Sequence, residues 1–234
     1  MSTEVTLVLV HGAWADGSSW ARVIDQVEAA GVRAVAAPLP LSSFEDDVAA
    51  LESTLEHVGG PVVLAGHAYA GGVIAATTAE NVRALVYVAA LAPAEGESVA
   101  EIFGRGTAHP QAPALAPDAH GLIWLPDEAF AGAFAHRATE AEQTRLRAVQ
   151  RPISITCITT PVGRPRWQDL PTWYLIAEED RMISSDNQHF MAERMGATVR
   201  SQPVDHMLLL TAPEVVTELL LDVVRTVEKD LTET

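Results

Sequence analysis

The chain has 234 residues, and apolar residues make up 48% of them, which is enough for a sizeable core and too many for a disordered chain. Its formal net charge of -16 argues against nucleic acid or an anionic membrane surface as a partner, because both need a basic footprint. A single cysteine, Cys157, excludes an intrachain disulfide and favours a cytoplasmic location. The length is typical of one domain that carries an insertion.

The start of the chain predicts a strand and no targeting segment. The opening stretch "MSTEVTLVLVHG" lacks a basic region, and its apolar run is short for a signal peptide. Elsewhere the apolar runs fall short of the ~18 residues that a membrane-spanning helix needs. We therefore expect no membrane partner.

Apolar runs bounded by turn residues alternate with helical periodicity along most of the chain. This alternation predicts an α/β architecture, a mostly parallel six-stranded sheet with helices on both faces. The predicted strands are Val5–Val10, Arg33–Ala37, Val62–Ala65, Ala84–Val88, Thr172–Ala177 and Thr198–Pro203.

Helices are predicted between these strands. Ser43, with Asp46 three residues later, forms a variant of the capping box that begins one helix. Another is predicted to begin near Ser185, with Gln188 in the matching place, and to end at Gly196. The apolar stripes at helical spacing are Trp20, Val23, Ile24 and Val27; Phe44, Val48, Leu51 and Leu55; and Val216, Leu219, Leu220 and Val223.

The alternation is lost after the fourth predicted strand, where nine of the fourteen prolines lie in residues 93–171. This stretch is too long for a simple connection in one domain. We predict that residues 92–165 form a lid over the carboxyl edge of the sheet, inserted into a core of residues 1–91 and 166–234. A flexible linker is the alternative. Two short helices are predicted within the segment, at Asp127–Ala135 and Thr139–Val149.

The turn after the third predicted strand has the pattern of a nucleophile elbow. In the stretch "VVLAGHAYAGG", Gly66 lies two residues before Ala68 and small residues follow it, as a sharp strand-to-helix turn requires. Alanine stands where the pattern G-x-S-x-G has serine, and a methyl group cannot attack a substrate. A phosphate-binding turn is the alternative, but the pattern G-x-G-x-x-G and a P-loop lysine are absent from the sequence.

Two polar residues follow the last two predicted strands in the order of a catalytic acid and base. Asp180 comes after the fifth strand and His206 after the sixth. In that order the imidazole would take a proton from a hydroxyl, and the carboxylate would fix the imidazole tautomer. A capping or core histidine is the structural alternative for His206. The rival acids are Glu178, Glu179 and Asp205.

The first strand ends in "VLVHGAW", a turn that can aim backbone amides at the same edge of the sheet. The predicted oxyanion donors are the amides of Ala13 and of Tyr69, the residue after the nucleophile position. An ordinary strand-to-helix turn has the same sequence pattern. No neighbour replaces the serine: Tyr69 is predicted to point into helix packing, and Cys157 to be inert filler.

The ordered motifs "HGAW", "GHAYAGG", "DRMI" and "DHMLLL" resemble the α/β-hydrolase superfamily. The chain is most similar to the small bacterial relatives of plant methylesterases and hydroxynitrile lyases. The resemblance implies the α/β-hydrolase fold and esterase activity without a cofactor. The family's Ser, Asp and His fall on Ala68, Asp180 and His206, and its oxyanion amides on Ala13 and Tyr69.

Ala68 admits two interpretations. The chain is either a serine-to-alanine variant that holds its substrate without turnover, or a natural protein that binds a ligand or uses His206 alone as the base of a lyase. The first is favoured because the acid, the base and both oxyanion positions remain. Loss of a triad serine lowers turnover by on the order of a millionfold, so this chain is expected to be nearly inactive.

The predicted substrate of the active form is a small apolar or aromatic ester or lactone that is cleaved through an acyl-enzyme. No metal is expected, because the patterns H-x-x-x-H and C-x-x-C are absent from the sequence. The sequence leaves open a homodimer. The predicted pocket walls are Trp14, Trp124, Phe134, Trp167 and Met182.

Overall fold

A computed structural model describes residues 4–233. The strands in this range are β1 (Thr6–Val10), β2 (Ala34–Ala37), β3 (Val62–His67), β4 (Val82–Val88), β5 (Leu122–Ile123), β6 (Ile153–Ser154), β7 (Thr172–Ala177) and β8 (Thr198–Gln202). Six of them form one parallel sheet in the order β2-β1-β3-β4-β7-β8, and β5 pairs with β6 in a small antiparallel ladder. The six-stranded α/β sheet is therefore confirmed.

The helices in the same range are α1 (Ala21–Ala29), α2 (Phe44–Val58), α3 (Ala70–Ala75), α4 (Val99–Phe103), α5 (Asp127–Ala129), α6 (Glu140–Val149), α7 (Ile155–Thr159), α8 (Ser185–Met195), α9 (Leu208–Thr211) and α10 (Pro213–Glu233). Short 3-10 turns lie at Gly17–Trp20 and Arg166–Gln168, and a π-helical turn lies at Phe130–Phe134. Among the described residues, no helix has the length and apolar character needed to cross a membrane.

The sheet is covered on both faces because alternate side chains of each strand point to opposite sides. In β1, Leu7 and Leu9 join a buried cluster with α1 and α10, whereas Val8 and Val10 join a cluster with α2, α3 and α8. Both faces are therefore apolar, which leaves the carboxyl edge of the sheet as the place where polar side chains converge.

The predicted element ends differ from the structure by one or two residues at several places. β3 continues to His67, two residues past its predicted end, and so reaches the residue before Ala68. β8 ends at Gln202, because Pro203 has no N–H with which to continue the ladder. Ser43 caps α2 by accepting a hydrogen bond from the Asp46 amide, as predicted.

α8 begins at Ser185, as predicted, but its capping residue differs from the prediction. The cap is Ser184, and its side chain accepts from the Asn187 amide. Gln188 therefore has no capping role, and its side chain points into the interior. The predicted end of this helix is confirmed, since Gly196 lies at φ 62 and ψ 31, a left-handed conformation that favours glycine.

The segment of residues 92–165 contains α4 to α7, the π-helical turn and the β5–β6 ladder. Its predicted helix at Asp127–Ala135 is divided into α5 and the π-helical turn, which buries Phe130 and Phe134. α6 begins one residue later than predicted, because Thr139 is its cap. The segment is tied to the loop after β2 where the Ser154 amide donates to the Leu41 carbonyl oxygen at 3.0 Å.

A buried carboxylate joins this segment to the core. Asp47 on α2 accepts from the Leu41 amide and from the Tyr69 hydroxyl, each at 2.7 Å. Cys157 on α7 lies fully buried beside this pair. Burial raises the pKa of the Asp47 carboxyl and raises the pKa of the Cys157 thiol to about 12. The Tyr69 side chain is thus anchored by a carboxylate that sequence analysis missed.

The thiol provides a test of this packing. We expect Cys157 in the native protein to react with a disulfide reagent near pH 8 at least about a thousandfold more slowly than an ordinary thiol, because it stays protonated and buried. The rate of labelling followed by absorbance checks this. Guanidinium chloride should expose the same single thiol and give one equivalent of fast reaction. Fast labelling of the native protein would contradict the buried position.

The start of α3 leaves no room for a side chain at Gly71. A Cβ built there would lie 2.2 Å from the Leu91 carbonyl oxygen. We expect Gly71→Ala to lower the free energy of unfolding by about 3 kcal/mol or more, since backbone must move to relieve the clash. Denaturant titration measures the loss. Gly163→Ala, whose added Cβ meets open space, is the matched control and should change stability by less than about 0.5 kcal/mol.

Candidate active site

Ala68 occupies a strained turn between β3 and α3. Its φ is 51, a left-handed conformation that is uncommon for any residue with a Cβ. The turn is held because the Ala68 carbonyl oxygen accepts from the Leu91 amide at 2.9 Å and from the Gly71 amide at 3.1 Å. Ala68 lines the same cavity as His206. The backbone of position 68 therefore has the form of an elbow that presents its side chain to a cavity.

Asp180 and His206 form a buried pair. The loops after β7 and β8 bring them together, because the carboxyl ends of neighbouring parallel strands meet at one edge. His206 Nδ1 donates to Asp180 Oδ2 at 2.8 Å, and the two side chains are 3% and 0% exposed. Asp180 Oδ1 accepts from the amides of Met182 and Ile183 at 2.7 and 2.9 Å. The carboxylate thus fixes one tautomer of the imidazole.

The structure distinguishes Asp180 from the three rival acids. Only Asp180 among these four forms a hydrogen bond with the His206 ring in the described range 4–233. The others have different partners: Glu178 pairs with His189, Glu179 with Arg137, and Asp205 with the Arg137 amide and the Thr211 hydroxyl.

The second ring nitrogen of His206 is left for a ligand. His206 lines the cavity, and its Nε2 makes no hydrogen bond to any described residue. The backbone of this loop is held by His67, whose Nε2 donates to the His206 carbonyl oxygen at 2.8 Å. Burial lowers the pKa of His67 to about 3, so that ring is neutral and adds no charge beside His206.

Two residues that line the same cavity have backbone amides without partners among the described residues. Ala13 and Tyr69 both line it, and neither amide donates a hydrogen bond within the described part of the chain. Unpaired amides beside a cavity are donors for an oxygen that carries developing negative charge.

The turn that carries Ala13 is shaped by its neighbours. Trp14 adopts a φ of 60, and its indole Nε1 donates to the Ile123 carbonyl oxygen at 3.0 Å. His11 accepts from the Leu39 amide at 3.0 Å and donates through Nδ1 to the Gly12 carbonyl oxygen at 2.9 Å. Burial lowers the pKa of His11, so the ring is neutral and supports the turn through these two hydrogen bonds.

The cavity has a volume of ≈ 260 Å³, close to the lower end of the roughly 300–1,000 Å³ range of ligand pockets. Its wall contains no Lys, Arg, Asp or Glu among the described residues, and His206 and Tyr69 are its polar side chains. The segment of residues 92–165 supplies most of the opposite wall, including Val99, Phe103, Leu115, Ile155 and Ile158.

Three of the five predicted wall residues are wrong. Trp14 and Met182 line the cavity, but Phe134 does not. Its ring packs edge-on against Trp14, with centroids 6.1 Å apart, and lies 5.4 Å from the His206 ring. Trp167 is buried elsewhere, where its Nε1 donates to the Pro93 carbonyl oxygen at 3.3 Å. Trp124 is 49% exposed.

Trp124 does not line the cavity because its side chain points away from the interior. Ile123 and Leu125 on either side are buried, so alternation in an extended segment turns Trp124 outwards. The true wall is mostly aliphatic and comes from short helices, two-residue strands and loops, which are too short for a periodicity to mark which side chains face inwards.

Sequence analysis also missed a residue that contacts the acid. The Gln188 Nε2 donates to Asp180 Oδ2 at 3.0 Å from within α8. Its position was interpreted as part of a helix cap, and the sequence contains no other signal for the contact.

Comparisons with known proteins agree with this fold. The model of the alpha/beta hydrolase family matches residues 7–219. No curated protein matches the sequence significantly. Similar solved structures include polyneuridine aldehyde esterase, with 20% identity, a TM-score of 0.80 and coverage of 94% of this chain and 99% of that one.

Two further structures have the same fold. A pyrethroid hydrolase from Sphingobium faniae JZ-2 has 22% identity and a TM-score of 0.79, with coverage of 94% and 98% of the two chains. The methylesterase MES16 from Arabidopsis has 19% identity and a TM-score of 0.76, with coverage of 95% and 99%. At these identities the structures show the fold, and the family model, which spans most of the chain, shows the membership. This chain belongs to the alpha/beta hydrolase family.

Proposed function

We propose that this site is that of a carboxylic ester hydrolase, and that serine occupies position 68 in its active form. One observation carries the proposal: His206, which is paired with Asp180, and Ala68 share a cavity with Ala13 and Tyr69, whose backbone amides are unpaired among the described residues. A nucleophilic hydroxyl is the missing part of this arrangement. The Ala68 chain would then bind an ester and cleave it very slowly.

In the active form, His206 Nε2 would accept the proton of the serine hydroxyl as its oxygen attacks the ester carbonyl carbon. The amides of Ala13 and Tyr69 would stabilise the resulting oxyanion. Collapse of the tetrahedral intermediate releases the alcohol, which takes the proton from His206. Water then attacks the acyl-enzyme with His206 again as the base, and the carboxylic acid leaves.

The cavity supports a small, neutral, apolar or aromatic ester or lactone as the substrate. Its wall offers hydrocarbon and no charged side chain among the described residues, so a charged group would lose its hydration without gaining a partner. The segment of residues 92–165 forms much of this wall, which supports its role as a lid. The similar structures are named as an esterase, a methylesterase and a pyrethroid hydrolase, and one of the pyrethroid hydrolase structures carries a serine-to-alanine substitution.

The decisive experiment is Ala68→Ser. We expect this variant to hydrolyse 4-nitrophenyl esters of short acids at least about 10⁴-fold faster than the Ala68 chain, since it restores the nucleophile. Mass spectrometry should find one phosphonate adduct on the variant and none on the Ala68 chain. The double variant with His206→Ala serves as the control and should be inactive. A folded Ala68→Ser protein with neither turnover nor adduct would contradict the proposal.

The uncharged wall predicts discrimination by charge. In the Ala68→Ser background, we expect the mono-4-nitrophenyl ester of adipic acid to have a kcat/KM at least about a hundredfold below that of 4-nitrophenyl hexanoate, because its free carboxylate must be desolvated. Steady-state kinetics on both esters checks this. Equal values would show that the acyl chain lies outside the cavity.

A second candidate function follows from the unpartnered His206 Nε2. Beside Ala68, this nitrogen could act as the base of a lyase, or accept a hydrogen bond from a ligand that the chain binds without reaction. Calorimetry with a neutral aromatic acid amide on the Ala68 chain would detect such binding, and His206→Ala should weaken it. Binding combined with an inactive Ala68→Ser variant would favour this function over hydrolysis.

A further inference from the structure

We propose that Gln188 is a positioning residue for the Asp180–His206 pair. Its side-chain amide holds the Asp180 carboxylate in the rotamer that accepts the His206 Nδ1 proton. The inference deepens the proposed function. Its kinetic test rests on that function, whereas its NMR test does not.

The contacts of Gln188 leave its amide one orientation. Its Oε1 accepts from the Ala177 backbone N–H at 3.0 Å, and its Nε2 donates to Asp180 Oδ2 at 3.0 Å and to the Ile183 carbonyl oxygen at 2.9 Å. The side chain is fully buried. A backbone N–H can only donate and a carbonyl can only accept, so an inverted amide would lose all three hydrogen bonds. The donor end of the amide must therefore face the carboxylate.

This contact fixes the position of Asp180 Oδ2, the carboxylate oxygen that accepts the hydrogen bond from His206. The Met182 and Ile183 amides hold Oδ1, whereas Oδ2 receives Gln188 and His206. The terminal torsion of an aspartate is intrinsically broad, so a carboxylate held at one oxygen can still rotate about that torsion. Gln188 opposes this rotation. It also connects the acid to β7 through Ala177 and to the following loop through Ile183.

Position 187 provides a matched control within the same helix. Asn187 is also a buried amide on α8, and its Nδ2 donates to the Ile102 carbonyl oxygen at 2.7 Å. It makes no hydrogen bond to Asp180 or His206. Asn187→Leu therefore removes a buried side-chain amide of α8 that does not contact Asp180 or His206 by a hydrogen bond. An effect seen in a Gln188 variant but not in Asn187→Leu is then specific to the contact with Asp180.

The first test uses the Ala68 chain itself. Proton NMR should show a far-downfield Nδ1–H signal from His206, identified by its loss in His206→Ala. We expect Gln188→Met, which keeps the length of the side chain but donates nothing, to shift and broaden this signal. Gln188→Glu should abolish it, because a second carboxyl group beside Asp180 competes for the proton. Asn187→Leu should leave it unchanged.

The second test adds Ala68→Ser to each variant and measures kinetics. We expect Gln188→Met to lower kcat by about 10- to 100-fold, because small displacements of a catalytic group cost that much, with KM within about threefold. Asn187→Leu should retain kcat. Denaturant titration of each variant separates a loss of folding from a loss of positioning.

Two outcomes would overturn the inference. One is an unchanged Nδ1–H signal and kcat in folded Gln188→Met, and the other is an equal loss in Asn187→Leu, which would show that any buried amide of α8 matters equally. If every Ala68→Ser protein is inactive, the proposed function fails, but the NMR comparison still decides whether Gln188 holds the pair.

Discussion

The hydrogen bond between His206 and Asp180 is the interaction on which the rest of the site depends. It is buried at both ends, and it leaves Nε2 as the one ring nitrogen that can meet a ligand. The carboxylate also accepts hydrogen bonds from two backbone amides and from the Gln188 side chain, so three donors besides His206 hold it in place. Its geometry exists before any ligand arrives, as electrostatic catalysis requires.

The elbow and the two unpaired amides depend on backbone geometry, not on the side chain at position 68. The φ of 51 at Ala68 persists without a hydroxyl, since the Leu91 and Gly71 amides hold its carbonyl oxygen. The amide of Tyr69 belongs to a residue whose hydroxyl is anchored by Asp47. Serine and alanine differ by one oxygen atom, so the same backbone can carry either residue at position 68.

The cavity wall has a different origin from the polar groups. The sheet edge and its turns supply the chemistry, whereas the segment of residues 92–165 supplies an aliphatic surface opposite them. An uncharged wall strengthens hydrogen bonds made inside the cavity and makes charged ligands unfavourable. Under the proposed function, substrate choice would lie in one half of the site and reactivity in the other.

The sequence by itself determined the sheet, because apolar runs bounded by turn residues mark buried strands wherever they occur along the chain. It also predicted that Ala68, Asp180 and His206 lie at one edge of that sheet, since a catalytic order along parallel strands places residues there. Only the tertiary structure decided which side chains line the cavity and that Gln188 contacts the acid. Local sequence patterns indicate the role of a residue within its own helix or strand. Contacts between elements join residues that are far apart in the sequence, and a single sequence carries no periodic signal for them.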